Sequence, residues 1–343
     1  MTRYIVRRLL QAIPLLLLIS IIIFLLANEM GDPLASFGGR RRIRSSDRER
    51  LTRQLGLDKP IAVQYLVWLI GNDWMDVDLN GDGVPDAKGS RQGILRGDWG
   101  KSFMEKRPVV DLIKERLPNT LLLMLVFEVV TVVLSLVIGI YSALKQYSVV
   151  DHVVTGLSFV GYSMPIFWIA LLSMYLFAVK FKEWGLPYLP TVGKYDLSVG
   201  PTVTQVAWHM VLPVTSIAVI SIAGYTRYIR SCMLDVIHDD YIRTARAKGL
   251  AEKVVLFRHA LKNASLPLVT LIGLDLPFLL GGAVVTESIF AWPGTGRLFW
   301  DAARDTDIPV LMGVLMLISV AVVLFQIITD ITYTFLDPRI RYD

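Results

Sequence analysis

Cysteine, histidine and charged residues are all scarce in this sequence. Its 343 residues include one cysteine, four histidines and 19% charged residues. Soluble domains carry about 25% charged residues, so this composition excludes an ordinary soluble globular protein. A lone cysteine, Cys232, excludes an internal disulfide. The histidines lack zinc-ligand spacing, and neither an HExxH motif nor a nucleophile elbow occurs, so no catalytic constellation is present.

A complete nucleotide-binding loop is missing as well. Residues 100–102, GKS, resemble the end of such a loop, but Leu95 stands where the loop requires a glycine. We therefore predict that the chain is not an enzyme and does not bind ATP itself. If it moves a solute uphill, the energy must come from an ion gradient or from a partner. A gradient-driven carrier usually contains internal repeats, and no clear repeat relates the two halves.

Long apolar runs dominate what remains. Hydrophobic residues make up 54% of the chain, and its mean hydropathy is +0.52. A hydrocarbon core about 30 Å thick is crossed by roughly 20 helical residues. We predict an all-α membrane protein with six transmembrane helices, near residues 9–29, 120–144, 153–179, 206–229, 264–287 and 309–332.

Basic residues predict the orientation of these helices. Arg3, Arg7 and Arg8 precede the first apolar run, which is too long for a signal peptide and lacks a cleavage site. The loop between helices four and five is rich in Arg and Lys, whereas residues 288–309 contain two arginines. The positive-inside rule then places both termini in the cytoplasm. The formal charge of +5 reflects this orientation and contact with anionic lipid, so we predict no nucleic-acid partner.

This topology divides the chain into three predicted parts. Residues 1–30 are the cytoplasmic N-terminus and first helix, and residues 31–118 are a small external domain. Residues 119–343 form a five-helix core that includes a cytoplasmic segment at 230–263.

The external domain contains an acidic, glycine-rich stretch, DVDLNGDGVPD, at residues 76–86. Alternating oxygen-bearing side chains around glycines are the arrangement by which a tight loop wraps Ca²⁺. The match to an EF-hand is imperfect, because position twelve is Ala87 rather than glutamate. We predict a calcium loop here, and the alternative is a metal-free surface turn. The proposed ligands are Asp76, Asp78, Asn80, Asp82 and Asp86.

Two acidic residues, Glu128 and Asp275, fall inside predicted spans. Ionisable groups at this depth cost about 2.5 to 3.5 kcal/mol and usually face a bundle interior or a water path. Asp275 either lines a translocation path, where it would favour cationic cargo, or forms an internal pair that fixes helix packing. Glu128 is closer to the end of its helix, which favours the structural role.

The cytoplasmic segment from Asp239 to Lys262 has the pattern of two short helices separated at Gly249. Acidic residues favour the start of the first helix, and glycine can take the left-handed conformation that ends it. A helix, a turn and a helix exposed to the cytoplasm can fit a cleft on a partner. The alternative is a basic helix lying on lipid headgroups.

The residues of this segment favour the partner. RTARAKGL followed by RHALKNASLP resembles the cytoplasmic EAA loop of ABC importer permeases, with Arg243, Thr244 and Ala245 in place of Glu-Ala-Ala. Other stretches resemble the same family in order along the chain: MTRYIVRRLLQAIPLLL, GDWGKSF, RPVVDLIKERLPNTLLL, SMPIFWIALL, GGAVVTESIFAWPGTGRLFWDA and FLDPRIR. The sequence is similar to the first permease subunit of dipeptide and oligopeptide ABC importers.

This resemblance implies a type I importer permease in the inner membrane of a prokaryotic cell, forming half of a translocation pore. Its implied partners are a second homologous permease, an extracytoplasmic substrate-binding protein, and two ATPase subunits or one ATPase heterodimer that bind ATP. It also implies an external gate at Trp292, Pro293 and Gly294. The residues implied in ATPase coupling are Arg243, Thr244, Ala245, Arg246, Ala247, Lys248, Gly249 and Leu250. The alternative is a gradient-driven carrier that uses Asp275 and Glu128.

Overall fold

The computed structural model describes residues 2–31, 45–78, 82, 84–264, 268, 271–273, 275 and 283–336. Within these residues the regular secondary structure is helical, apart from one pair of two-residue strands. In chain order the elements are α1 Thr2–Glu29, α2 Ser45–Gln54, α3 Ile61–Ile70, β1 Asp76–Val77, β2 Ala87–Lys88, a 3-10 turn Ile94–Arg96, α4 Val109–Leu144, α5 Val149–Ser163, α6 Ile166–Glu183, α7 Val203–Ile237, α8 Asp240–Ala247, α9, α10 Val284–Ile289, α11 Thr295–Arg304 and α12 Ile308–Leu336. The helix α9 consists of Glu252–Val254, π-helical Val255–Ala260 and Leu261–Ala264.

Among the residues that the structure describes, four helices are long and apolar enough to cross a membrane. They are Val6–Glu29, Val109–Leu144, Val203–Ile237 and Ile308–Thr332. The helices α5 and α6 together supply enough apolar length for a fifth span, although they meet at a bend of 104°. Most of the fifth predicted span along the chain, residues 264–287, lies outside the described residues.

The bend between α5 and α6 corrects the prediction of one continuous helix at 153–179. Pro165 lies between the two helices and has no backbone N–H to donate. Met164, which precedes it, takes an extended conformation with φ −83° and ψ 132°, as residues before proline commonly do. The helix therefore ends at Ser163 and restarts at Ile166 in a new direction.

The chain packs as two compact units. The first unit contains residues 6–118 and 298–320. An aromatic cluster lies in its core, where the ring centre of Phe24 is 5.5 Å from that of Tyr65 and 5.8 Å from that of Trp68. The Tyr65 hydroxyl also bonds Ser20 Oγ at 2.8 Å. These contacts join α1 to α3, so this unit combines residues of the predicted external domain with part of the first span.

A buried carboxylate, Asp307, organises the GKSF turn of the same unit. It is 3% exposed and accepts bonds from Ser102 Oγ at 2.5 Å and from Phe103 N at 3.0 Å. Ser102 Oγ in turn accepts the N–H of Glu105 at 2.9 Å. The serine that resembles part of a phosphate loop thus has a structural role within the protein.

The second unit contains residues 119–297 together with the two ends of the chain, 1–5 and 321–343. Its helices α5 and α7 pack closely at Gly161, where a Cβ would lie 3.3 Å from Val219 Cγ1. Ala170, Leu212 and Phe290 form a small buried cluster beside this contact region. All the predicted coupling, path and gate residues lie in this unit.

Candidate functional site

The predicted coupling segment forms a helix, a turn and a second helix. The first helix, α8, ends at Ala247, and Gly249 follows with φ +75°. Leu250 N donates to Ala245 O at 3.4 Å, and Gly249 N donates to Arg246 O at 2.9 Å. This pair of bonds is the Schellman motif, which satisfies the last carbonyl groups of a helix when glycine occupies the left-handed position. Gly249 therefore ends the helix in the conformation predicted from the sequence.

An ion pair spans the turn. Arg246 donates to Glu252 through Nη2 at 2.7 Å and through Nε at 3.1 Å, in the two-bond arrangement that suits a guanidinium and a carboxylate. The bond from Arg246 lowers the pKa of Glu252, and the same bond raises the pKa of Arg246. Both side chains are about half exposed, so the pair contributes about 0 to 1 kcal/mol. Its main effect is to orient α9 relative to α8.

One face of the segment is part of the protein core. Ile242 and Val255 are fully buried, and they share a cluster with Tyr225, Ile229 and Met233 of α7. Ala245, predicted to contact an ATPase, is 6% exposed and belongs to the same cluster. The other predicted coupling residues are exposed: Arg243, Thr244, Arg246, Ala247, Lys248, Gly249 and Leu250.

The exposed face combines basic and apolar groups. Arg243 and Lys248 lie on it, and the apolar side chains of Leu250, Val254 and Phe257 are 41%, 38% and 63% exposed. Exposed apolar groups next to basic ones are typical of a surface that binds a partner. The turn that carries them is anchored to α7, so it can dock into a cleft as a preformed unit. We call these five residues the coupling face.

A buried ion pair that sequence analysis missed lies at the same end of the unit. Asp151 is 2% exposed, and Arg230 donates to both of its oxygens at 2.7 Å. Tyr147 N donates to Asp151 Oδ2 at 2.9 Å, and Ser142 Oγ also bonds this carboxylate. The pair ties the turn between α4 and α5 to α7 just before the coupling segment. Its sequence signal is an aspartate three residues after the helix-capping Ser148.

The two acids that fall inside predicted spans both lie near one tyrosine. Tyr225 of α7 donates its hydroxyl to Asp275 Oδ2 at 2.8 Å. Glu128 of α4 is near enough to interact electrostatically with both. Glu128 is 8% exposed, and neither of its carboxylate oxygens has a hydrogen-bond partner among the described residues. The structure thus brings together the two acids that the sequence singled out.

On the C-terminal side of Glu128, the same face of α4 is polar. Thr131 and Ser135 follow at helical spacing, and both hydroxyl oxygens lack a bonding partner within the described ranges. Thr226 of α7 carries a third such oxygen. Buried polar groups are normally bonded to protein or to ordered water. Ordered water is therefore the expected partner of this polar strip, because its three residues are 0 to 2% exposed.

The predicted gate residues form a tightly bonded segment around a buried carboxylate. Trp292 is fully buried, and its indole N–H donates to Asn119 O at 3.0 Å. Asn119 Nδ2 donates to Pro293 O at 2.8 Å. A Cβ added at Gly294 would overlap the carboxylate of Glu287. The segment is therefore fastened to α4 at Asn119.

Glu287 itself is fully buried. Its Oε1 accepts the Thr120 hydroxyl at 2.9 Å, and its Oε2 accepts the N–H of Arg297 at 3.0 Å. Thr120 Oγ1 also accepts the N–H of Thr295 at 2.8 Å. Sequence analysis missed this residue, because a glutamate in a short helix gives no signal of a partner that is 167 residues away.

The predicted calcium ligands lie on and between two short strands. Asp76 pairs with Lys88 in the strand register, and Asp86 N donates to Val77 O at 3.1 Å. Asp82 Oδ1 accepts the N–H of Val84 at 2.8 Å. Asn80 lies outside the described residues. Among the residues that are described, no group of three or more His, Cys, Asp or Glu side chains is arranged to hold a metal, so calcium binding remains a prediction.

The long apolar helices define a multi-span membrane protein. More particularly, the chain belongs to the family described as binding-protein-dependent transport system inner membrane component, which matches residues 135–342. The N-terminal model of the same system matches residues 1–124. Membership identifies a multi-pass protein of the bacterial inner membrane and a transporter permease rather than a catalytic subunit.

Its relatives match along the whole chain. The oligopeptide transport system permease protein AppB of Bacillus subtilis is 41% identical and covers 100% of both chains. The dipeptide transport system permease protein DppB of Escherichia coli K12 is 34% identical over 100% of this chain and 99% of its own. These matches confirm the family that the sequence motifs resemble.

A solved structure supports the fold. One chain of the MetNI methionine ABC transporter, in an inward-facing conformation, aligns with a TM-score of 0.50 and 17% identity. The alignment covers 66% of this chain and 97% of the MetNI chain. At this identity the likeness concerns the fold alone.

Proposed function

We propose that this protein is the permease subunit of an ATP-driven importer of dipeptides or oligopeptides. The observation that carries the proposal is the coupling face: a basic and apolar surface held on a Schellman turn and anchored to α7. The two relatives belong to oligopeptide and dipeptide transport systems, which supports the cargo class. In this proposal the chain has six spans with both termini in the cytoplasm, and it forms half of the pore.

We infer the partners of this subunit from its family. A second permease of the same family completes the pore, and a substrate-binding protein delivers cargo from outside. Two ATPase subunits, or one ATPase heterodimer, bind ATP and receive the coupling face. Closure of the ATPases on ATP would then push α8 and α9 as one body, because their buried face belongs to the core that contains α7.

Purification from the native cells tests this function. The tagged chain, extracted in mild detergent, is expected to bring with it a second permease and ATPases, and the eluate is expected to hydrolyse ATP. In liposomes, peptide uptake should require ATP inside and persist when an uncoupler collapses the ion gradient. A chain that purifies alone and catalyses uptake only with an ion gradient would instead support the carrier alternative based on Asp275 and Glu128.

We also propose that Glu128, Tyr225 and Asp275 line the translocation path and favour cationic cargo. The position of Glu128 near Tyr225 and the polar strip on the same helix face support this role. Asp275→Asn is expected to lower uptake of Lys-Ala-Lys about tenfold relative to trialanine, equivalent to about 1.4 kcal/mol. Asparagine can still accept the Tyr225 hydroxyl, so the fold should persist. An equal loss of uptake for both peptides would indicate that Asp275 serves helix packing instead.

The calcium loop is a further part of the proposal. A single external site has a dissociation constant on the order of 10⁻⁴ to 10⁻³ M, and ligand at ten times that constant stabilises a protein by about 1.4 kcal/mol. Calcium is therefore expected to raise the thermal midpoint of the detergent-solubilised protein, while equal magnesium leaves it unchanged. Asp78→Asn combined with Asp82→Asn should remove the calcium response. A midpoint insensitive to calcium in the unmodified protein would reject the site.

We propose, finally, that Trp292, Pro293 and Gly294 are an external gate. Their bonds to Asn119 support a gate that moves as one piece with the neighbouring end of α4.

A further inference from the structure

Arg227 of α7 lies against two aromatic rings of α5. Its guanidinium carbon is 5.2 Å from the ring centre of Phe159 and 5.1 Å from that of Tyr162. Both distances fall within the range of cation–π contacts. The two rings are 55% and 57% exposed, so the group they hold is accessible from one side. We call these three residues the arginine clamp.

The clamp joins two apolar helices. Arg227 belongs to α7, which is long and apolar enough to cross a membrane, and the two rings belong to α5, which is part of the bent pair. Arg227 lies three residues, about one helical turn, before Arg230, towards the end of α7 that leads into the coupling segment. A charged side chain in such a helix is stable where it faces water or protein rather than lipid.

Arg227 has no acidic partner among the residues that the structure describes. Its contacts there are the two rings, whereas Arg230, one helical turn away, is bonded by both oxygens of Asp151. Aromatic rings hold a guanidinium without supplying the oxygen acceptors that its N–H groups prefer. The donors of Arg227 thus remain available to an anion.

A carboxylate is the anion that this arrangement fits best. A guanidinium presents two parallel N–H bonds that match the two oxygens of a carboxylate, and stacking on aromatic rings fixes its plane in advance. The exposed rings also offer apolar surface to a side chain next to that carboxylate. We propose that the arginine clamp binds the C-terminal carboxylate of the peptide as it crosses the membrane. This inference rests on the proposed peptide cargo.

The test uses the complete importer in liposomes with its binding protein, and two probes: trialanine and trialanine with an amidated C-terminus. Arg227→Gln is expected to lower the turnover of trialanine at saturating concentration at least tenfold. Arg227→Lys, which keeps the charge but loses the paired donors, should give an intermediate value. The wild-type protein should carry the amide slowly, and Arg227→Gln should carry it at the same slow rate.

Lys182→Gln is the matched control. Lys182 Nζ lies 5.4 Å from the ring centre of Tyr188, so this variant also loses a cation–π contact, but outside the clamp. It should carry trialanine at the wild-type rate. Thermal midpoints and recovery of the partner subunits are measured for every variant.

Four outcomes would overturn the inference. If Arg227→Gln transports trialanine at the wild-type rate, Arg227 does not bind the peptide carboxylate. Equal loss of both peptides with a lower thermal midpoint would assign Arg227 a structural role. Failure of Arg227→Gln to co-purify with the second permease would show that Arg227 binds a carboxylate of that subunit and not the carboxylate of the peptide. A wild-type importer that hydrolyses ATP but takes up neither peptide would overturn the peptide cargo itself, and the clamp's ligand with it.

Discussion

Gly249→Val is expected to lower peptide uptake by the reconstituted importer about 5- to 30-fold while the protein stays folded. The left-handed conformation costs a residue with a Cβ about 1 to 2 kcal/mol, and a β-branched side chain fits it least well. That free energy corresponds to a 5- to 30-fold change in the population of the turn. A Cβ at Gly249 would have no atom within 4 Å, so the effect comes from the backbone and not from a clash.

Two further substitutions distinguish the effect of backbone conformation at Gly249 from the effect of surface charge. Asparagine tolerates the left-handed conformation, so Gly249→Asn should retain uptake within about twofold of wild type. Gly249→Asp has nearly the same shape but adds a negative charge beside Arg243 and Lys248. If those groups meet an acidic ATPase surface, Gly249→Asp should lose ATPase-coupled uptake whereas Gly249→Asn should retain it. Equal activity of the valine variant and the wild type would contradict the docking role of the turn.

The membrane helices could be predicted from sequence because hydrophobic length is a local property. The four apolar helices of sufficient length overlap four of the predicted spans. The bend at Pro165 was not predicted, although the proline is visible. Pro14, Pro118 and Pro213 all lie inside continuous helices, so proline alone does not reveal which helix breaks. Packing against neighbouring helices decides that outcome, and it is not local.

In the candidate site, too, the features set by nearby residues were predictable and those set by distant residues were not. The left-handed turn at Gly249 was predictable, because its determinants lie within ten residues. The partners of Asp151 and Glu287 were not, because these bonds join residues 79 and 167 positions apart. The exclusion of Ala245 from the coupling face also depends on tertiary packing. A sequence motif marks a segment as functional but does not tell which of its side chains are in the core.

Gly294→Ala is expected to destabilise the protein by about 3 kcal/mol or more, the largest effect on stability among these predictions. The added methyl group must displace the buried carboxylate of Glu287 from the Thr120 hydroxyl and from Arg297 N. Each hydrogen bond to a buried charged group contributes about 1.5 to 3 kcal/mol. The thermal midpoint of the detergent-solubilised protein measures the loss. Gly156→Ala is the matched control, because its Cβ meets no atom within 4 Å and alanine favours the helix.

A double-mutant cycle identifies the cause of that loss. Glu287→Ala removes both the carboxylate and the steric conflict, so Gly294→Ala should add no further destabilisation in its presence. Additive losses would show that Gly294 is constrained by something other than Glu287. If the cycle shows coupling, the segment from Trp292 to Gly294 is held against α4 by the hydrogen bonds of Glu287, Thr120 and Asn119. An external gate at this segment can then open only by a movement that carries the adjoining end of α4 with it.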